Sequence, residues 1–441
     1  MTRHFPRLAA AFLIVAAATF PARAEIEVQT VTSPGGITAW LYEEHSIPIL
    51  DIEAAFTGGA AIDGEGAEGA VYLMTALLNE GAGGLDATGF AEATETLAAS
   101  FGFDAGQDRV SVSARMLTEN RDESLALLRS ALMEPRFDDE PFARVKAQVL
   151  SGLRSDETDP NTLASRAFYA QAFPDHPYAR PSAGTPESVE ALGVEDIRAA
   201  HQASMVRDRL MVAVVGDITA AELGPLLDEL FGDLPTGGPE LPPVADALSP
   251  GTLRVIDLDI PQSVVMFGHE GIPRDDPDFI PAFVMDHILG GGGFGSRLTE
   301  EVREKRGLTY GIYTYLAPGD YGWLYLGRFS SANARAAEAM QIVRDEWARM
   351  AEEGVTEQEL ETAKRYLTGA YALRFDGNAR IAGQLLGLQT AGLGIDYVNE
   401  RNDLIESITV EDIARVAERV LKPEALTWVV VGRPEGVEPT N

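Results

Sequence analysis

The chain repeats itself, and no other feature limits its fold as much. Val194-Glu195-Asp196-Ile197 returns as Val410-Glu411-Asp412-Ile413, and Val214-Val215-Gly216 as Val430-Val431-Gly432, both 216 residues later. Upstream, Phe142, Val145, Lys146 and Ser151-Gly152 have counterparts in Leu360, Ala363, Lys364 and Thr368-Gly369 at offsets of 217 to 218, a drift that one or two small insertions explain. A repeat of this length has the size of a domain and is far longer than a solenoid unit. The spacing therefore predicts two homologous units, 25–234 and 251–441. The linker expected between them, 235–250, opens with Pro235-Thr236-Gly237-Gly238-Pro239 and continues to Pro242-Pro243, which suits neither a helix nor a central strand.

Helical and strand periodicities alternate inside each unit. Ala336, Met340, Val343, Trp347 and Met350 recur at spacings of four and three, an amphipathic helix that stops at Gly354. Thr356 and Glu359 form a capping box that opens a second helix with the stripe Leu360, Ala363, Leu367 and Ala370. A helix opening near Asp138 or Asp139 carries Phe142, Val145, Val149 and Leu153 in the same way. Leu210 to Val215 and Leu426 to Val431 are apolar runs ending at glycine and read as buried strands. Leu308 to Leu316, Ala317-Pro318-Gly319-Asp320 and Trp323 to Phe329 read as a hairpin. Strands with long helices and meander connections predict an α+β layer, sheet on one side and helices on the other.

Composition removes several functions. With 35 Lys plus Arg against 68 Asp plus Glu the net charge is −33, which repels nucleic acid and anionic lipid. The absence of cysteine excludes disulfides, thiolate zinc sites and cysteine nucleophiles, so any metal would need the six histidines and carboxylates. Arg3, His4 and Arg7 precede an apolar run from Leu8 to Phe20, and Ala22-Arg23-Ala24 follows as a small-x-small cleavage site. Residues 1–24 are read as a secretory signal peptide, cut before Glu25. The run is shorter than a membrane span needs, and no other stretch qualifies. An exported protein without membrane insertion is expected, periplasmic if the host has two membranes.

Phe56-Thr57-Gly58-Gly59-Ala60, the segment Gly69 to Leu78, the duplicated unit and the Leu289 to Tyr310 segment together resemble the pitrilysin/insulinase family of zinc metallopeptidases, in the short bacterial form related to mitochondrial processing peptidase. The resemblance spans nearly the whole chain after residue 24. It implies two α/β-roll domains, each a sheet with helices packed on one side, forming half of a clamshell. In active members a helix carries an inverted His-x-x-Glu-His motif, two zinc-binding His at i and i+4 with a Glu that activates water. The matching residues here are Tyr72, Thr75 and Ala76, and the place of the third ligand, a downstream Glu, falls at Ser151 and Gly152. None of these is a zinc ligand of that kind. His45, His176, His201, His269 and His287 have no partner at i+3 or i+4 and read as structural, as does the His176-Pro177-Tyr178 loop.

The resemblance also supplies an Arg and a Tyr seven residues apart, which in this family reach the substrate at the zinc. Here they are Arg303 and Tyr310, behind Gly290-Gly291-Gly292-Gly293-Phe294-Gly295-Ser296-Arg297-Leu298. Ser296 is a suitable N-cap and Gly307 a suitable C′ residue. A tyrosine hydroxyl can donate to an oxyanion and an arginine can grip peptide carbonyls. The plainer alternative pairs Arg303 with Glu300 or Glu304 and makes Tyr310 one more strand aromatic beside Tyr313 and Tyr315. Gly290, Gly292 and Gly295 spell G-x-G-x-x-G, but they follow a helical stretch and not a strand, so nucleotide binding is not expected. The resemblance implies a non-catalytic subunit that binds peptide or unfolded protein and contributes Arg303 and Tyr310 to a homologous, zinc-binding partner, itself holding no cofactor. A non-enzymatic scaffold or peptide-binding protein of the same fold is the alternative.

Overall fold

A computed structural model describes residues 26–440; the signal peptide read over 1–24 lies outside them. The fold is mixed α+β. Six strands form the first sheet: β1 (Gln29–Thr32), β2 (Thr38–Glu43), β3 (Ile49–Thr57), β4 (Ser100–Ala105), β5 (Arg109–Leu117) and β6 (Leu210–Gly216), in the order β1-β2-β6-β3-β5-β4. The second sheet holds β7 (Leu253–Ile256), β8 (Gln262–Glu270), β9 (Thr309–Pro318), β10 (Trp323–Ala332) and β11 (Thr427–Val431), in the order β9-β10-β8-β11-β7. From its other end this order repeats β2-β6-β3-β5-β4. In each sheet one pair is parallel, β2 with β6 and β7 with β11, and the rest are antiparallel. The sequence repeat is thus a repeat of strand order.

The local signals read from the sequence do what their chemistry requires. Thr356 and Glu359 close a reciprocal capping box at the head of the Glu357–Tyr371 helix, and the preceding helix, Ala336–Glu353, ends at Gly354 with φ +66°. Met340, Val343, Trp347 and Met350 all point into the second core. In the hairpin, β9 starts one residue after the expected Leu308 and runs two past Leu316, while β10 starts at Trp323 as expected and runs three past Phe329.

The expectation of helices on one side of each sheet needs correcting. The second face of each sheet is also covered, by one helix from the other half of the chain. Pro160–Ala172, capped by Asp159 with Pro160 in its first turn, lays Ala164, Phe168 and Ala172 on Val264, Met266, Val429 and Val431 of the second sheet. Asn378–Thr390 lays Ile381, Ala382 and Leu385 on Ala55, Ala213 and Val215 of the first. Central strands such as β6 and β11 are apolar on both faces, so both faces must be removed from water. The 235–250 segment has neither helix nor strand, yet it is laid against the second sheet's outer layer. Ala245 N–H donates to the Tyr321 carbonyl (2.8 Å) and Leu248 N–H to that of Ala172 (2.8 Å). No helix among the described residues is long and apolar enough to cross a membrane.

Candidate functional site

The helix Ala70–Thr75, where the sequence reading expects the zinc-motif positions, is only six residues long. Asp63 anchors its start, accepting from the N–H groups of Gly69 (2.8 Å) and Val71 (3.1 Å). Burial raises this carboxyl to about 6 against those two donors. The helix places Tyr72 and Ala76 on the solvent side, four residues apart, and buries Thr75, whose hydroxyl donates to the Tyr72 carbonyl (2.8 Å). A phenol, an internally bonded hydroxyl and a methyl do not fit zinc. Ser151 and Gly152 are exposed on the Asp139–Asp156 helix and add no carboxylate. Among the described residues no group of three His, Cys, Asp or Glu is placed to hold a metal.

The histidines are used locally. His45 bridges Asp217 (2.8 Å) and Glu43 (3.3 Å), and His201 bonds the Leu132 carbonyl (2.8 Å). His176 bonds the Pro243 carbonyl and accepts from Tyr178 N–H. His269 is buried against Trp347, and His287 stacks on Tyr366. The His176-Pro177-Tyr178 loop has a further use that the sequence did not reveal. Tyr178 donates its hydroxyl proton to Asp108 (2.5 Å) and accepts from Tyr321 N–H (3.0 Å), while Arg109 donates to Asp320 (2.5 Å) and to the Thr390 carbonyl (2.7 Å). The bonds from Tyr321 N–H to Tyr178 and from Arg109 to Asp320 and Thr390 latch the two halves together.

Arg303 lies in a π-helical turn, Thr299–Glu304, where one extra residue per turn is accommodated. Ser296 Oγ accepts from Thr299 N–H at its head, and Gly307, at φ +60°, follows its end. The Arg303 guanidinium lies over the Phe294 ring, 4.5 Å from its centroid, and its Nε is 3.3 Å from Glu304. Glu304 is one of the two partners that the plainer alternative named; Phe294 was not foreseen, although an aromatic inside a glycine run is a visible signal. Tyr310 is 86% exposed. It sits where β9 gains one residue over β10 between Thr309 and Ile312, a bulge on an edge strand that turns its side chain outward. Among the described residues no hydrogen bond, ion pair or ring contact joins Arg303 or Tyr310 to Tyr72, Thr75 or Ala76.

The glycine run is a packing device. A Cβ on Gly290 would enter the Thr314 hydroxyl, which donates to buried Asp286 (2.5 Å). Arg297 ties the run down, donating to both Glu359 oxygens (2.6 and 2.9 Å) and to the Gly354 carbonyl (2.9 Å). Burial opposes the Glu359 charge, but the Arg297 and Thr356 donors prevail and bring its carboxyl down to about 2. The strand that a dinucleotide fingerprint should follow is absent: the helix Phe279–Asp286 precedes the run.

Residues 191–367 match the profile of the Peptidase M16 inactive domain. A solved structure from Pseudomonas fluorescens, described as a peptidase M16 inactive domain, is 30% identical with a TM-score of 0.86; the match covers 94% of this chain and 100% of that one. "Non-peptidase homolog YmxG" of Helicobacter pylori is 27% identical over 393 residues, 89% of this chain and 91% of the relative. An "uncharacterized zinc protease" of Mycobacterium tuberculosis is 27% identical over 411 residues, 90% and 92% respectively. The chain belongs to the peptidase M16 family, the pitrilysin/insulinase metallopeptidases, as a member without the zinc motif.

Proposed function

We propose that this chain is the non-catalytic subunit of an exported, two-chain M16 metallopeptidase, each subunit two roll domains forming half of a clamshell. One observation carries the reading: the zinc-motif positions hold Tyr72, Thr75 and Ala76, whereas Arg303 and Tyr310 are kept at a helix end and on an outward-turned bulge. A helix end and a strand bulge are firm places from which to aim side chains at a second chain. The zinc would belong to the partner. Tyr310 would donate its hydroxyl to the developing oxyanion, and Arg303, leaving Glu304, would hold a peptide carbonyl. Substrate would be extended peptide or unfolded protein.

The test is reconstitution with a homologous chain that carries the zinc motif. Tyr310→Phe should lower kcat of the pair on the order of a hundredfold with KM little changed, as removal of an oxyanion donor does. Arg303→Ala should act mainly on KM. The amino terminus of the exported protein should be Glu25.

A second reading, a non-enzymatic scaffold or peptide-binding protein, is favoured by the fact that Arg303 already has partners in Phe294 and Glu304. Unchanged activity of the pair in both variants would decide for it.

A further inference from the structure

Away from both half-motifs, a cavity of about 670 Å³ opens where the two halves meet. The Pro160–Ala172 helix, the 178–183 loop and the Ala317-Pro318-Gly319 end of the hairpin enclose it. Its volume falls in the range of small-molecule sites. One wall is apolar and aromatic: Tyr169 and Phe173 stack with centroids 6.3 Å apart, and Leu324 adjoins them.

The charged groups of the lining are engaged, with one exception. Arg166 pairs with Asp156 (3.5 Å) and Arg180 with Glu68 (3.4 Å). Asp108 accepts from the Tyr178 hydroxyl and from Asp320 N–H (3.2 Å). Arg328 has no carboxylate partner among the described residues, and its guanidinium donates to the Met266 sulfur at 3.7 Å. It is half-buried beside two tyrosines, close enough to act on the ionisation of both Tyr169 and Tyr315. The Tyr169 hydroxyl is likewise without a hydrogen-bond partner among the described residues. Burial, with Tyr315 and Asp108 adding and Arg328 opposing, pushes it up to about 12, so at neutral pH it is a donor.

An unneutralised guanidinium in a chain with 68 acids and 35 bases is a place for one anion. Its planar fork matches a carboxylate, and the aromatic wall suits an apolar body attached to that carboxylate. Multiply charged anions are disfavoured by the net charge of −33. We infer that this cavity binds the carboxylate of an apolar acid or of a peptide chain end, with Arg328 as the anchor and Tyr169 as the second donor. The site does not depend on a peptidase partner.

Calorimetric titration of the full chain tests it with three probes: 4-phenylbutyrate, a tripeptide ending in phenylalanine with a free carboxylate, and the same tripeptide amidated. At least one free acid should bind; amidation of a binding tripeptide, or Arg328→Gln, should weaken binding on the order of tenfold or more. Tyr169→Phe should weaken it less. Binding of phenylbutyrate alone identifies a free acid as the ligand, and binding of the tripeptide alone a chain end. Equal binding of acid and amide, an undiminished affinity in Arg328→Gln, or no binding of any probe at millimolar concentration overturns the inference. Should Arg328→Gln fail to fold by circular dichroism, Tyr169→Phe and the acid–amide comparison decide the matter.

Discussion

Acidification should loosen this fold through His269. The imidazole is wholly buried between β8 and the Ala336–Glu353 helix. Its Nδ1–H donates to the Glu270 carbonyl (2.6 Å), and its Nε2 accepts from the Trp347 indole N–H (3.0 Å) and, at 3.4 Å, from Lys422 N–H. The neutral ring is therefore fully used, and a second proton must displace those donors. Burial lowers the group to about 4, with Lys422 adding to the fall and the Glu270 carbonyl resisting it. In the unfolded chain an imidazole titrates near 6.5. Between these values the unfolded state takes up a proton that the folded state refuses, so stability declines as pH falls through that window. The whole gap amounts to about 3 kcal/mol, most of which is lost by about pH 4.5. Urea unfolding near pH 7, 5.5 and 4.5, compared between the native chain and His269→Gln, isolates the effect from the many carboxylates. The glutamine keeps an acceptor for Trp347 and has no titration of its own. The variant should start less stable near pH 7, and its deficit should shrink by about 2 to 3 kcal/mol at the lowest pH. A deficit that stays constant with pH would refute the reasoning.

Arg109→Ala removes the bonds to Asp320 and Thr390 that join the halves and should cost about 2 kcal/mol; thermal unfolding of single and double variants with Asp320→Asn should show coupling between the two sites. Gly290→Ala drives a methyl into the Thr314 hydroxyl and should destabilise by about 1 to 3 kcal/mol in denaturant unfolding. Gly293→Ala, with open space around it but φ at +58°, should lose only about 1 kcal/mol through backbone strain. Tyr72→His combined with Ala76→His sets two imidazoles on one exposed helical face; zinc retained after gel filtration should stay below one equivalent, and a full equivalent would contradict the lack of a third ligand.

The duplication, the caps at Thr356 and Gly354, the hairpin and the strands ending at Gly216 and Gly432 were all legible in the amino-acid order. The duplication shows as a recurrence of residue identities, and the others rest on patterns within a few residues, where spacing and side-chain type act directly. That Tyr72, Thr75 and Ala76 do not form a His-Glu-His set was legible for the same reason, since residue identities need no fold to be read. Three things were decided only by the tertiary structure. Pro160–Ala172 and Asn378–Thr390 have ordinary amphipathic stripes, and nothing local says that each covers the sheet of the opposite half. The one-residue bulge that turns Tyr310 outward comes from the register of β9 on β10. The solitary charge of Arg328 comes from which carboxylates fail to reach it. Helix stripes and caps are properties of neighbours in sequence, whereas coverage, register and charge balance are set by groups tens to hundreds of residues apart, which meet only once both cores have closed.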